Sequence, residues 1–129
     1  MKKHVGKILV MDDEIVVSVV AGEMLEYLGY DVTFARDGHQ ALDMYSDALA
    51  TGSPFDVVIM DLTIPDGMGG KDAIEKIREV DPNVRAIVSS GYSNDPVMAD
   101  FRSYGFTGVV VKPYNLEELG EQVSKALQG

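Results

Sequence analysis

Two short apolar runs lead directly into acids. Ile8-Leu9-Val10-Met11 precedes Asp12-Asp13-Glu14, and Val57-Val58-Ile59-Met60 precedes Asp61. Two other runs end in different polar groups: Ala86-Ile87-Val88 in Ser89-Ser90-Gly91, and Val109-Val110-Val111 in Lys112-Pro113. If these runs are neighbouring parallel strands, their polar ends share one edge, and the three carboxylates of Asp12, Asp13 and Asp61 crowd into one cleft. Like charges so close raise one another's pKa unless a positive group intervenes. A hard divalent cation with oxygen ligands answers that need, and Lys112 supplies a second positive charge. Mg²⁺ takes one or two carboxylates and a phosphate oxygen while keeping waters, so the set suits a metal plus a phosphoryl group. A carboxylate can attack phosphorus to give an acyl phosphate. The metal and Lys112 would neutralise the transferring group, and a Ser90 hydroxyl can donate to it.

Each piece alone has an ordinary reading. Asp12-Asp13-Glu14 can cap a helix and suit its N-terminal dipole. Asp61 can be a turn residue before Pro65-Asp66-Gly67. Ser90-Gly91 is a common loop pair, Lys112 can be a solvated lysine, and Pro113 can start a helix. These readings weaken together, because all must hold at once on one edge of one sheet.

The elements that place these residues follow from periodicity. Continuous apolar runs such as Ile8–Met11 and Val57–Met60 predict strands buried on both faces. Val32 and Phe34 alternate about Thr33, as an edge strand does. Helical stripes fall at Val17, Val20, Met24 and Leu28, with Gly29 as the stop, and at Ala41, Leu42, Tyr45, Ala48 and Leu49, ending near Gly52-Ser53-Pro54. Gly70, Ala73, Ile74 and Ile77 predict a helix that stops before Asp81-Pro82. Val97, Phe101 and Tyr104 mark a short helix, and Leu116, Leu119, Val123 and Leu127 the closing one. Five βα units in a row imply an α/β fold, a mostly parallel sheet with helices on both faces.

Composition bounds the class. The 129 residues fit one domain, 46% of them hydrophobic, enough for a core. With no cysteine there is no disulfide framework and no thiolate metal site. A formal charge of −10 opposes direct nucleic-acid binding and contact with anionic membrane. Met1-Lys2-Lys3-His4 is basic, but the apolar run behind it is too short for a signal peptide. No stretch reaches the about 20 apolar residues of a membrane span. The expected organisation is an N-terminal tail over 1–6 and one domain over 7–127, cytoplasmic in location.

The chain resembles response-regulator receiver domains of two-component signalling over nearly its whole length. The matching pieces are Ile8-Leu9-Val10-Met11-Asp12-Asp13-Glu14, Met60-Asp61-Leu62-Thr63-Ile64-Pro65-Asp66-Gly67-Met68-Gly69-Gly70, Ser90-Gly91 and Val111-Lys112-Pro113-Tyr114. The resemblance implies a flavodoxin-like (βα)5 three-layer sandwich with a five-stranded parallel sheet in the order 2-1-3-4-5. It implies that Asp61 takes a phosphoryl group from a phosphohistidine. Asp13, Asp61 and the Thr63 carbonyl would ligate Mg²⁺, with Asp12 reaching it through water. Lys112 would pair with the phosphoryl group, Lys112-Pro113 would be a cis peptide, and Ser90, followed by the small Gly91, would be the switch hydroxyl.

The implied protein is a phosphoacceptor switch with weak self-catalysed phosphotransfer and dephosphorylation rather than an enzyme. Its partner would be a sensor histidine kinase or a histidine phosphotransfer protein, and a homodimer is left open. The wording of the Asp61 and Ser90 segments is similar to receivers fused to hybrid sensor histidine kinases, so the parent protein can itself be a membrane-anchored kinase. The family often has Tyr or Phe three residues before the lysine, where this chain has Val109. A tyrosine-type switch therefore does not carry over, and the Ser90–Tyr92 loop is the expected output route. Tyr92, Val109 and Tyr114 are the candidates for gating or output.

Three other functions compete. A Mg²⁺-dependent phosphohydrolase would need an acid two residues after its nucleophile, where Thr63 stands. A flavodoxin-like cofactor binder would need a phosphate-cradling loop after the first strand, where three acids repel phosphate. A degenerate docking receiver would not keep the acids and Lys112. His4 is expected in the tail, His39 on a surface, and the methionines in the core.

Overall fold

The computed structural model describes residues 6–128. Five strands alternate with helices: β1 (Lys7–Met11), α1 (Ile15–Tyr27), β2 (Asp31–Ala35), α2 (Gly38–Ala50), β3 (Val57–Asp61), α3 (Gly70–Val80), β4 (Ala86–Ser90), α4 (Pro96–Ala99), β5 (Gly108–Val111) and α5 (Leu116–Gln128). The strands form one parallel sheet in the order β2-β1-β3-β4-β5, as expected. The tail expected over 1–6, with His4 in it, lies outside the described residues except for Gly6. The Gly6 carbonyl already accepts the Asp31 N–H at 2.9 Å, next to the β1–β2 pairing.

The central strands explain the uninterrupted apolar runs. Alternate residues of one strand enter two different cores. Ile8, Val10, Val57, Ile59, Ile87 and Val110 pack with α1 and α5 on one face. Leu9, Met11, Val58, Met60, Ala86 and Val88 pack with α2, α3 and α4 on the other. With both faces covered, each strand must be apolar at every position. β2, at the edge, is only partly buried, and Phe34 is 43% exposed.

Two helices differ from expectation. In α1 the buried residues are Ser18, Ala21, Gly22 and Leu25, one position off the Val17–Val20–Met24–Leu28 stripe, and Val20 is exposed. The helix is apolar almost all round in its first half, so periodicity could not select a face; Gly22 decides it by leaving room for the Phe34 ring. The region of Val97, Phe101 and Tyr104 is a single α turn followed by a 3₁₀ turn over Phe101–Tyr104. Asp95 caps it, accepting the Val97 N–H at 2.9 Å with Pro96 behind it. No helix among the described residues is long and apolar enough to cross a membrane.

Candidate functional site

The site lies at the carboxyl ends of β1, β3, β4 and β5, because a parallel sheet brings those ends to one edge. β1 ends in Met11, and the next residue, Asp12, is only 3% exposed. Its Oδ1 accepts the Glu14 N–H at 2.9 Å, so the carboxylate braces the start of α1. Glu14 itself holds the N-cap position without a side-chain cap. Asp13 is exposed at the mouth of the cleft. Asp61 closes β3 and is 6% exposed; its Oδ1 lies 3.4 Å from the Thr63 N.

Lys112 follows β5, and its main-chain N–H donates to the Ser90 carbonyl at 2.9 Å. Its Nζ bridges two acids, lying 2.7 Å from Asp12 Oδ2 and 3.0 Å from Asp61 Oδ2. Among the described residues no hydrogen-bond donor besides that ammonium reaches the buried Asp12 Oδ2. The Lys112–Pro113 peptide bond is cis.

Electrostatics set the site's appetite for cations. Burial pushes the Asp61 carboxyl up to about 6, and the Asp12 charge adds to this against the pull of Lys112 and the Thr63 N–H. Burial alone would lower the Lys112 ammonium, but its two carboxylate partners win and raise it. Carboxylate oxygens of Asp12, Asp13 and Asp61 all lie within 4.8 Å of one another. Three carboxylates against one ammonium leave an excess of negative charge that a hard divalent ion with oxygen ligands fits.

The cleft has a volume of about 540 Å³ and is walled by Asp13, Glu14, Asp61, Thr63, Pro65, Ser90, Gly91, Tyr92 and Lys112. Thr63 is exposed at its rim. Beyond it Ile64 to Gly67 form a turn closed by Gly67 N–H to the Ile64 carbonyl at 3.2 Å, with Asp66 at φ 58°. Asp66, not the following glycine, takes the left-handed position there. Gly69 is needed behind this loop because a side chain would collide with the Leu62 carbonyl. Ser90 is 5% exposed, and its Oγ accepts the Tyr92 N–H at 3.1 Å. The Tyr92 ring is 74% exposed on the far wall. Val109 is half-buried and packs into the core of α2, α3 and α4, away from the cleft.

Tyr114 is not at the cleft surface. It packs against the α1–α5 core, and its hydroxyl lies 2.7 Å from Ser89 Oγ. Ser89 is fully buried and stands in register with Asp61. Sequence reasoning passed over Ser89 in favour of Ser90; the usable signal was strand parity, which puts Ser89 on the face of Ile87 and Asp61. Also missed was an exposed apolar surface beside the acids. Ile15, Val16, Val19 and Phe34 are 77%, 75%, 47% and 43% exposed. A groove of about 230 Å³ joins Ile15, Val19 and Phe34 to Asp12 and Asp13. The signal there was α1 itself, whose first six residues contain one polar side chain.

Comparison with known proteins gives one consistent relationship. The family model for the response regulator receiver domain matches residues 8–124. The chain is 29% identical over 121 residues to sporulation initiation phosphotransferase F of Bacillus subtilis, covering 94% of this chain and 93% of that protein. It is 32% identical over 123 residues to the chemotaxis protein CheY of Treponema pallidum, covering 95% and 83%. Among solved structures, the receiver domain of the hybrid histidine kinase CckA matches with a TM-score of 0.76 at 29% identity, covering 95% of this chain and 100% of that one.

Proposed function

This chain belongs to the response regulator receiver domain family, and on that premise we propose that Asp61 is the residue on which it carries a phosphoryl group. The observation that carries this reading is the position of the Asp61 carboxylate: at the end of a central strand, within 4.8 Å of Asp12 and Asp13, and 3.0 Å from Lys112. The chain is a receiver domain of two-component signalling, a phosphoacceptor switch.

In the proposed reaction an Asp61 oxygen attacks the phosphorus of a phosphohistidine. A P–O bond to Asp61 forms as the P–N bond breaks; its electron pair stays on the imidazole nitrogen, which takes up a proton. Asp61 must be ionised to attack, and its raised pKa of about 6 leaves it so at neutral pH. Asp12, Asp13, Asp61 and the Thr63 carbonyl are the groups that would hold Mg²⁺, Asp12 through water. When bound, Mg²⁺ neutralises charge on the transferring group and aligns its oxygens. Lys112 leaves its pairing with Asp61 to meet the phosphoryl group, and keeps Asp12. Water entering past Thr63 and Tyr92 then hydrolyses the acyl phosphate slowly.

Ser90 is the proposed switch. Its Oγ now accepts from Tyr92 N–H; donating to the phosphoryl group draws it inward and shifts the Gly91–Asp95 segment. With Val109 turned into the core, this loop is the output route. The phosphohistidine donor must bring its imidazole over the cleft rim. The apolar surface of Ile15, Val16, Val19 and Phe34 continues that rim and would receive an apolar surface of the donor. The donor is a histidine kinase or histidine phosphotransfer protein. Likeness to the CckA receiver supports a hybrid kinase as parent protein.

Incubation with Mg²⁺ and acetyl phosphate tests the reading. Intact mass should rise by one phosphoryl group, and chelating the metal should prevent it. A protein whose mass is unchanged under both conditions is not a phosphoacceptor.

A further inference from the structure

β4 ends in two adjacent serines, which strand alternation sends to opposite faces of the sheet. Ser90 lines the cleft. Ser89 shares a face with Asp61, its register partner on β3, and the Ser89 carbonyl accepts the Leu62 N–H at 2.8 Å, just past Asp61. Ser89 Oγ is joined to the Tyr114 hydroxyl at 2.7 Å. The segment leading from β5 to α5 is thus tied to β4 twice, by Lys112 N–H to the Ser90 carbonyl and by Tyr114 to Ser89. Lys112, whose ammonium bridges Asp12 and Asp61, emerges between these two ties.

We propose that Tyr114 is a positioning residue for phosphoryl transfer: its hydrogen bond to Ser89 fixes the segment after β5 so that the Lys112 ammonium is presented at Asp61. The inference rests on Asp61 being the acceptor. Lysine is a compact charge on a flexible four-carbon stem, so its backbone anchor decides where the nitrogen spends its time. Asp12 offers that nitrogen a second, closer partner, and a loosened anchor lets it settle there, out of reach of the phosphoryl group arriving at Asp61. A phenylalanine at 114 would fill the same apolar space beside the α1–α5 core. It would lack the oxygen, and would leave a fully buried Ser89 hydroxyl without its partner. Burial pushes the Tyr114 phenol up to about 12, so it stays protonated and able to donate at working pH.

The test compares Tyr114→Phe, Ser89→Ala and the double variant with the parent chain. Initial rates of phosphorylation by acetyl phosphate at saturating Mg²⁺ are read beside stability to urea. Tyr114→Phe should slow phosphorylation about tenfold, the scale expected for a misplaced catalytic group, with apparent Mg²⁺ affinity little changed. The double variant should regain stability, because no buried hydroxyl is left unpaired, yet remain slow, because the tie is still missing. In a Lys112→Ala background, Tyr114→Phe should slow the reaction no further. A Tyr114→Phe protein at the parent rate overturns the inference. So does an equal loss with and without Lys112, or a double variant that recovers rate together with stability. These results are distinct from failure of Asp61 as acceptor, which would show as no uptake by the parent chain or as uptake by Asp61→Asn.

Discussion

The Lys112 ammonium sits 3.0 Å from Asp61 Oδ2, yet the Asp61 carboxyl is still pushed up to about 6. Burial therefore outweighs the ion pair. Because the folded pKa lies above the ordinary carboxylate value, the group favours the fold when protonated. That contribution is fully present below about pH 4 and is lost as pH rises through about 6. Metal-free Asp61→Asn should then be more stable than the parent chain by about 2 kcal/mol at pH 8, the advantage fading as pH falls toward 4. Urea unfolding at several pH values measures this. Mg²⁺ at ten times its Kd should add about 1.4 kcal/mol to the parent and much less to Asp61→Asn.

Removing the lysine should act in the opposite direction. Lys112→Ala leaves Asp12 and Asp61 facing each other with their shared ammonium gone. The metal-free protein should lose about 3 kcal/mol of stability at neutral pH, the scale of breaking a buried pair from one side. Mg²⁺ should recover much of that loss, while phosphorylation by acetyl phosphate should fall at least tenfold. Calorimetry with and without the metal, beside phosphorylation rates, separates the two effects.

Phosphorylation should move a loop rather than the sheet. Beryllofluoride with Mg²⁺ should shift the amide resonances of Gly91 to Asp95 more than those of β1, β3 or β4, because the inward movement of Ser90 Oγ pulls on the Tyr92 N–H that donates to it. Shifts confined to the surroundings of Asp61, with a silent 91–95 loop, would remove Ser90 from the switch.

The apolar surface beside the acids should matter to a protein donor and not to a small one. Ile15 is 77% exposed, so Ile15→Glu should leave the fold intact. It should slow transfer from a phosphohistidine protein about tenfold, as loss of an interface anchor does, and leave the acetyl phosphate rate unchanged. Equal rates with both donors would place the docking surface elsewhere.

Much of this was legible in the residues because a doubly covered parallel sheet writes its strands as continuous apolar runs and its site as whatever follows them. Asp12, Asp61, Ser90 and Lys112 could be read in that way. The buried face of α1 could not, since all but Ser18 of the residues from Ile15 to Val20 are apolar and Ser18 itself lies on the buried side; the choice was made by Phe34 settling over Gly22. Tyr114 was equally opaque. A tyrosine after Lys112-Pro113 reads equally as a cleft residue and as buried packing, until strand parity brings Ser89 to meet its hydroxyl. The single-turn α4 owes its length to the 3₁₀ turn that follows, which sequence spacing does not distinguish from a longer helix.

The most direct measurement locates the phosphoryl group on the chain. After reaction with Mg²⁺ and acetyl phosphate, borohydride reduces an aspartyl phosphate to homoserine, which peptide mass spectrometry can place. The expected result is homoserine at position 61 alone, with no mass gain in Asp61→Asn. Homoserine at Asp12 or Asp13, or a phosphoryl adduct persisting in Asp61→Asn, would contradict Asp61 as the acceptor.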